Sequence, residues 1–211
     1  MHDTALIAGE SFSEIYGGPE KVVVDIGGQN VGNGSLRSFF ELEGMKYICV
    51  DIVEHPSVDI VVKPGDKLPF DTGSIDLIVS SSCFEHDPCF WLTFKEMARI
   101  LRVGGYAYVN APTNGVYHCH PGDNWRFYSD AGQALAFWSG TPLSTEEVHP
   151  MKVIETFHVL PIADIWTDFV CVWQRVTERE TEITVSPRVS NRIGKLRERI
   201  HSKSVKTVAK C

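Results

Sequence analysis

The stretch Lys21–Ile26 (KVVVDI) is almost continuously apolar and breaks into Gly27-Gly28. A short unbroken apolar run suits a strand covered on both faces, as in a parallel sheet. From Ser35 to Gly44, Leu36, Phe39, Phe40 and Leu42 fall at helical spacing, and Gly44 is placed to stop the helix. KYICVDI (46–52), SVDIVV (57–62) and SIDLIVSSS (74–82) predict a second, third and fourth strand. FWLTFKEMARILRVGG (90–105) predicts an amphipathic helix closed by Gly104-Gly105, and YAYVNAP (106–112) a fifth strand broken by Pro112. Parallel neighbours need crossover helices, so this alternation predicts a doubly wound α/β sheet.

Beyond Pro112 the periodicity loosens. Residues 113–130, TNGVYHCHPGDNWRFYSD, are rich in turn formers, aromatics and histidines, and DAGQALAFWSG (130–140) reads as a helix. Two further strands are expected near KVIETFHVL (152–160) and TDFVCVWQRV (167–176). The stretch from Arg188 to Lys203 places Val189, Ile193, Leu196 and Ile200 on one face, with basic residues around them. That stripe is narrow for a buried core helix and suits docking on a second copy, which would give a homodimer, or on another partner; its basic face could also find the acidic body of the same protein, and a mobile terminal extension is the alternative. One domain is expected over 1–176, with an acceptor-binding insert at about 113–140 and a basic extension over 177–211.

Composition narrows the function classes. The 211 residues are 43% hydrophobic and 22% charged, enough for one sizeable core. The net charge of −7 argues against a nucleic-acid partner. The charge is uneven: residues 178–211 hold nine Lys/Arg against four Asp/Glu, a balance of +5 that leaves −12 on the rest. No basic start with a long apolar run opens the sequence and no segment reaches membrane-spanning length, so a cytoplasmic protein is expected. Six scattered cysteines without a C-x-x-C pair suit reduced thiols, and the sequon Asn33-Gly34-Ser35 is discounted in that setting.

The chemistry concentrates where the first strand ends. A strand, a glycine turn and a helix start form a nucleotide-binding corner at the carboxyl ends of open α/β sheets. A nicotinamide dinucleotide would want G-x-G-x-x-G, but Gln29 interrupts that pattern, and Asp25 adds negative charge where a pyrophosphate would lie. Asp25 suits a ligand with an ammonium group and no phosphates, as in S-adenosylmethionine. Asp51, ending YICVD, is placed to accept hydrogen bonds from ribose hydroxyls.

From Val22 to about Asp130 the chain resembles class I S-adenosylmethionine-dependent methyltransferases. The matching stretches are VVVDIGG, YICVD, LPFDTGSIDLIVSSSCFEH and FKEMARILRVGGYAYVNAP. It departs from the wider family at Gln29 and Val31, where glycines are usual. The resemblance implies a Rossmann-like, mainly parallel seven-stranded sheet flanked by helices, with a C-terminal helical tail. It also implies cofactor contacts from Asp25, Gly27, Gly28, Gln29, Asn33, Asp51, Ile52 and Ser82, with Asp66, Lys67 and Leu68 at the adenine edge. NGSLR, FEHDPCFW and NGVYHCHPGDNWRFYSD resemble a bacterial and viral subgroup that accompanies glycan or polysaccharide assembly. That resemblance implies a carbohydrate or sugar-nucleotide acceptor methylated on a hydroxyl.

A sugar hydroxyl is a poor nucleophile while protonated, so a general base is expected, and histidine is the usual one. His118 is the expected base, with Asp123 orienting it or the acceptor. His86 follows the fourth strand and is expected to shape the pocket. His120, Trp125, Arg126 and Tyr128 are expected acceptor contacts. His118, His120 and Asp123 have spacing for a divalent metal, although acceptor contacts need none and no metal is the favoured expectation. Three other readings compete: a non-catalytic module of the same fold, a methyltransferase acting on a non-sugar small molecule, and an NAD-dependent dehydrogenase. The broken glycine pattern and Asp25 speak against the last.

Overall fold

The computed structural model describes residues 3–32, 34–142, 147–161, 165–177 and 188–208, the last ten as backbone. In chain order the elements are α1 (Asp3–Tyr16), β1 (Val22–Ile26), α2 (Arg37–Leu42), β2 (Lys46–Asp51), β3 (Ile60–Val61), β4 (Ile75–Ser81), α3 (Phe90–Ile100), β5 (Leu101–Pro112), α4 (Ala131–Ser139), β6 (Met151–Val159), β7 (Asp168–Arg175) and α5 (Arg188–Val208). The strands form one seven-stranded sheet in the order β3-β2-β1-β4-β5-β7-β6. Neighbours from β3 to β5 are parallel, and β7 runs against both β5 and β6. The sheet is therefore doubly wound and mainly parallel, as the alternation predicts.

The unbroken apolar runs follow from coverage on both faces. Val24, Ile78, Val109 and Cys171 pack with Phe94 and Met97 of α3 and Leu135 of α4. Their strand neighbours Val23, Leu77, Val79, Tyr108 and Val172 turn to the other face, against Ala8, Phe12 and Tyr16 of α1 and Phe40 of α2. Side chains on a strand alternate between faces, so a strand covered on both sides carries apolar residues at every step.

Four local features differ from the expectations. Helix α1 was not foreseen, although Ala5, Ala8, Phe12 and Tyr16 recur at helical spacing and are buried. β3 is two residues long. α3 stops at Ile100 rather than at Gly104-Gly105, because Leu101 turns extended (ψ 133°) and pairs with Ile75. The two glycines serve the irregular start of β5: Gly104 has φ +78°, and a Cβ on Gly105 would stand 2.7 Å from the Asp76 carbonyl.

The fourth is the basic tail. Its first turns pack on this chain's own body, where Val189 and Ile193 join the α1 face of the core. Buried Glu155 on β6 accepts from the Val189 and Ser190 amides at 2.9 and 3.3 Å, and Arg192 forks onto Glu14 of α1 at 2.6 and 2.8 Å. A carboxylate at a helix N-terminus meets unsatisfied N–H groups and the positive end of the dipole. The Ile200 side chain lies outside the described residues. Among the described residues Cys49, Cys83, Cys89, Cys119 and Cys171 are free, and no helix is long and apolar enough to cross a membrane.

Candidate functional site

The glycine turn closes over Asp25. Gly27 has φ +75° and donates to the Val50 carbonyl at 2.8 Å. A Cβ on Gly28 would run into Asp25 Oδ2 and stand 2.9 Å from Cys49 Sγ, so only glycine lets the turn lie this close to the carboxyl group. Asp25 is 1% exposed. Its Oδ2 accepts from the Tyr47 hydroxyl, while Oδ1 is buried without a donor. Burial pushes this carboxyl up to about 7; the Tyr47 hydrogen bond works against that, the charge of Asp51 adds to it, and Arg37 opposes it. A buried polar atom without a partner is costly and marks a place where a ligand donor fits.

Asp51 ends β2 and ties the turn to it. Its Oδ2 accepts from the Gln29 amide at 3.0 Å and its Oδ1 from the Ile52 amide at 2.6 Å. Gln29 thus contributes its backbone here, which is why a residue other than glycine is tolerated. A carboxylate offers about four lone-pair sites, so Asp51 keeps capacity for further donors. Ile52 and Val53 lie exposed beside it.

The rest of this rim is mixed. Asp66 and Lys67 are exposed, and Asp66 is engaged within its own turn, exchanging hydrogen bonds with Lys63. Leu68 is a core residue whose amide donates to Glu96 at 2.7 Å. Ser82 follows β4 with φ +51°, donates its amide to Asn110, and leaves its hydroxyl buried without a partner. A non-glycine residue in this conformation costs on the order of 1 kcal/mol and tends to occur at functional sites. Asn33 lies outside the described residues.

The loop after β5 brings His118, Asp123 and Arg126 together. Asp123 Oδ2 accepts the His118 amide at 2.9 Å and stands 3.3 Å from His118 Nδ1. Arg126 forks onto the same carboxylate at 2.5 and 2.7 Å and holds it well below the usual carboxylate range, opposed by burial and helped by the His118 amide. Val116 O also faces His118 Nδ1, at 3.3 Å. Two acceptors at Nδ1 assign the proton there and leave Nε2 with the free lone pair. Arg126 therefore serves Asp123 in this arrangement.

His86 stands next to this pair, its ring 5.0 Å from that of His118 and nearly perpendicular to it. Its Nδ1 contacts the Gly122 carbonyl, and its Nε2 stands 3.6 Å from Glu85 Oε1. His120 is exposed, 6.5 Å from His86 between ring centres. Trp125 donates to the Asp87 carbonyl at 2.9 Å and packs edge-on against Phe90, which pins the loop; Tyr128 stays exposed.

Two residues here escaped sequence reasoning. Glu85 is fully buried, and among the described residues no other residue hydrogen-bonds its two carboxyl oxygens. Burial pushes it up to about 8, its own backbone amide opposing and Asp168 adding. Asn110, at the end of β5, is buried with both amide atoms unpartnered. The signal for Glu85 was a carboxylate beside the apolar pair Cys83-Phe84. Among the described residues the donor atoms that converge are those of Glu85, His86 and His118, rather than those of His118, His120 and Asp123, whose spacing alone suited a metal.

Comparison with known proteins agrees with this picture. Residues 25–109 match the model of the methyltransferase domain family. An uncharacterized methyltransferase from Mycobacterium sp. (strain KMS) is 34% identical over 96 residues, which cover 41% of this chain and 37% of that protein. The chain thus spans less than half the length of the curated relatives it matches. The crystal structure of Burkholderia thailandensis 1,6-didemethyltoxoflavin-N1-methyltransferase, with 1,6-didemethyltoxoflavin and S-adenosylhomocysteine bound, superposes with TM-score 0.63 at 16% identity over 83% of this chain and 79% of that one. The [4+2]-cyclase SpnF superposes with TM-score 0.58 at 12% identity over 83% and 81%. The fold is that of the class I methyltransferases.

Proposed function

We propose that this protein is an S-adenosylmethionine-dependent methyltransferase that methylates a hydroxyl of a carbohydrate or sugar-nucleotide, with His118 as general base. The observation that carries the reading is that the chain leaves the carboxyl ends of β1 and β5 through both halves of such a reaction. A glycine turn closes over the unpaired Asp25 oxygen, and an Asp123-oriented imidazole stands beyond β5. When bound, the cofactor supplies a methyl group activated on a sulfonium.

The chain's own residues do the rest. Asp25 accepts from the ammonium end through its unpaired oxygen, and Asp51 from the ribose through its spare lone pairs. Ser82 and the exposed Ile52 border the same pocket. Asp66 and Lys67 are assigned to the adenine side, with the core residue Leu68 supporting their loop. His118 Nε2 takes the acceptor proton as the oxygen attacks. Asp123, kept ionised by Arg126, stabilises the imidazolium that forms. His86 packs the base from the side, while His120 and the exposed face of Tyr128 meet the acceptor. The sugar assignment rests on the resemblance of residues 113–130 to the glycan-associated subgroup and on the density of hydrogen-bonding groups in that loop.

The test pairs calorimetry with turnover. S-adenosylmethionine should bind, and labelled methyl should pass to sugar or sugar-nucleotide hydroxyls in a panel that also holds phenols and catechols. Methylation of the phenols alone would keep the enzyme and remove the sugar. Binding without any transfer would favour another use of the fold, as the cyclase SpnF makes of it.

A further inference from the structure

We propose that Glu85, His86 and His118 bind one divalent transition-metal ion, and that the ion inhibits methyl transfer by occupying the lone pair His118 needs as a base. One donor atom from each of the three residues lies within 4.8 Å of the other two. Ligand atoms around a tetrahedral ion at about 2.1 Å stand roughly 3.4 Å apart. His86 Nε2 and Glu85 Oε1 are already at 3.6 Å, close to that separation.

Two further observations are independent of that spacing. Glu85 is fully buried, and among the described residues no other residue hydrogen-bonds its two oxygens, so a desolvated carboxyl group faces two imidazoles. A cation is the partner such a group lacks. Each imidazole also has its far nitrogen engaged, His86 Nδ1 by the Gly122 carbonyl and His118 Nδ1 by the Asp123 carboxylate. Histidines that ligate metals are held in this way, because the outer hydrogen bond fixes the tautomer and aims the other nitrogen. Two imidazoles and a carboxylate suit zinc, cobalt, nickel or manganese better than magnesium or calcium, which prefer oxygen alone. The backbone supports the assembly: the Asn124 and Trp125 amides bond the Glu85 carbonyl at 2.7 and 3.1 Å, holding the His118 loop against the turn after β4.

The inhibitory part rests on the reading of His118 as base; the binding part does not. A nitrogen lone pair given to a metal cannot also accept a proton, so ion and acceptor compete for the same atom.

The experiment titrates cobalt(II) into the full chain after chelator treatment, following visible absorption and calorimetry, with zinc as competitor. One ion per chain is expected, displaced by zinc. Glu85→Gln and His86→Ala should each weaken binding tenfold or more, with circular dichroism verifying the fold, and His120→Ala should bind as the parent does. Absence of cobalt binding, or binding lost in His120→Ala and kept in Glu85→Gln, overturns the site. Zinc should lower methyl transfer in step with its occupancy. Transfer that requires the ion overturns the inhibition and the base assignment together, and leaves the site standing. Stoichiometric binding in a chain that transfers no methyl group supports the site and counts against the proposed function alone.

Discussion

Replacing Asp25 by Asn should stabilise the protein while weakening its hold on S-adenosylmethionine. The carboxyl is 1% exposed and raised from 3.8 to about 7, chiefly by burial. The groups facing it are Tyr47, Cys49, Asp51 and Arg37. Tyr47 is pushed further up and Cys49 up to about 12, so neither titrates near neutrality. The folded state binds the Asp25 proton more tightly than the unfolded chain does. Stability from this group is therefore full below about pH 4, falls as pH rises, and is lost above about 7. The gap from 3.8 to about 7 is equivalent to ~4 kcal/mol at most. Asparagine keeps the shape and an acceptor for Tyr47 but never ionises. At pH 8, Asp25→Asn should gain about 1–4 kcal/mol, raising Tm by several degrees in a chain of this size. At pH 5 the gain should shrink toward zero. Calorimetry at pH 8 should show cofactor affinity about ten- to a hundredfold weaker in the variant. Parent affinity should fall as pH drops below 7, where a proton occupies the site, and the variant's should stay flat. A variant less stable than the parent by the same amount at pH 5 and pH 8, with unchanged affinity, would refute the assignment of Asp25 as a strained cofactor carboxylate.

Three further outcomes are expected. Gly28→Ala forces a methyl group against Asp25 Oδ2, and should destabilise the protein by about 1–3 kcal/mol and abolish measurable cofactor binding, checked by thermal melts and calorimetry. His118→Ala should slow methyl transfer about a hundredfold with cofactor affinity retained, and Asp123→Ala should do less; rapid-quench turnover separates the two. A chain ending at Val176 should still bind cofactor but melt at a lower temperature, because it uncovers the surface under Val189 and Ile193 and strips buried Glu155 of its donors.

The sheet was legible because its strands are buried on both faces, and continuous runs such as KVVVDI and DLIVSS announce that directly. Helix α1 was not, since six of its eight buried positions are the small residues Thr4, Ala5, Ala8, Gly9, Ser11 and Ser13, which leave only Phe12 and Tyr16 to mark an apolar stripe. The end of α3 was misplaced because Leu101 and Val103 prolong an apolar pattern while their backbone already pairs in the sheet. Docking of the tail depends on Glu155 and Glu14, remote in the chain and silent in any local window. At the site, Asp25 and Asp51 stand out because a carboxylate at the tip of an apolar strand has no packing role. Glu85 does not, because the loop that meets it, through the Asn124 and Trp125 amides on its carbonyl, lies some forty residues further along the chain.

The central claim is methyl transfer from S-adenosylmethionine to an acceptor oxygen. The most direct measurement is mass spectrometry of a sugar and sugar-nucleotide panel incubated with the full chain and methyl-labelled cofactor. The account predicts one labelled methyl on oxygen, formed with stoichiometric S-adenosylhomocysteine and reduced about a hundredfold in His118→Ala. Saturating cofactor binding with no labelled acceptor in any class, or labelling that His118→Ala leaves untouched, would contradict it.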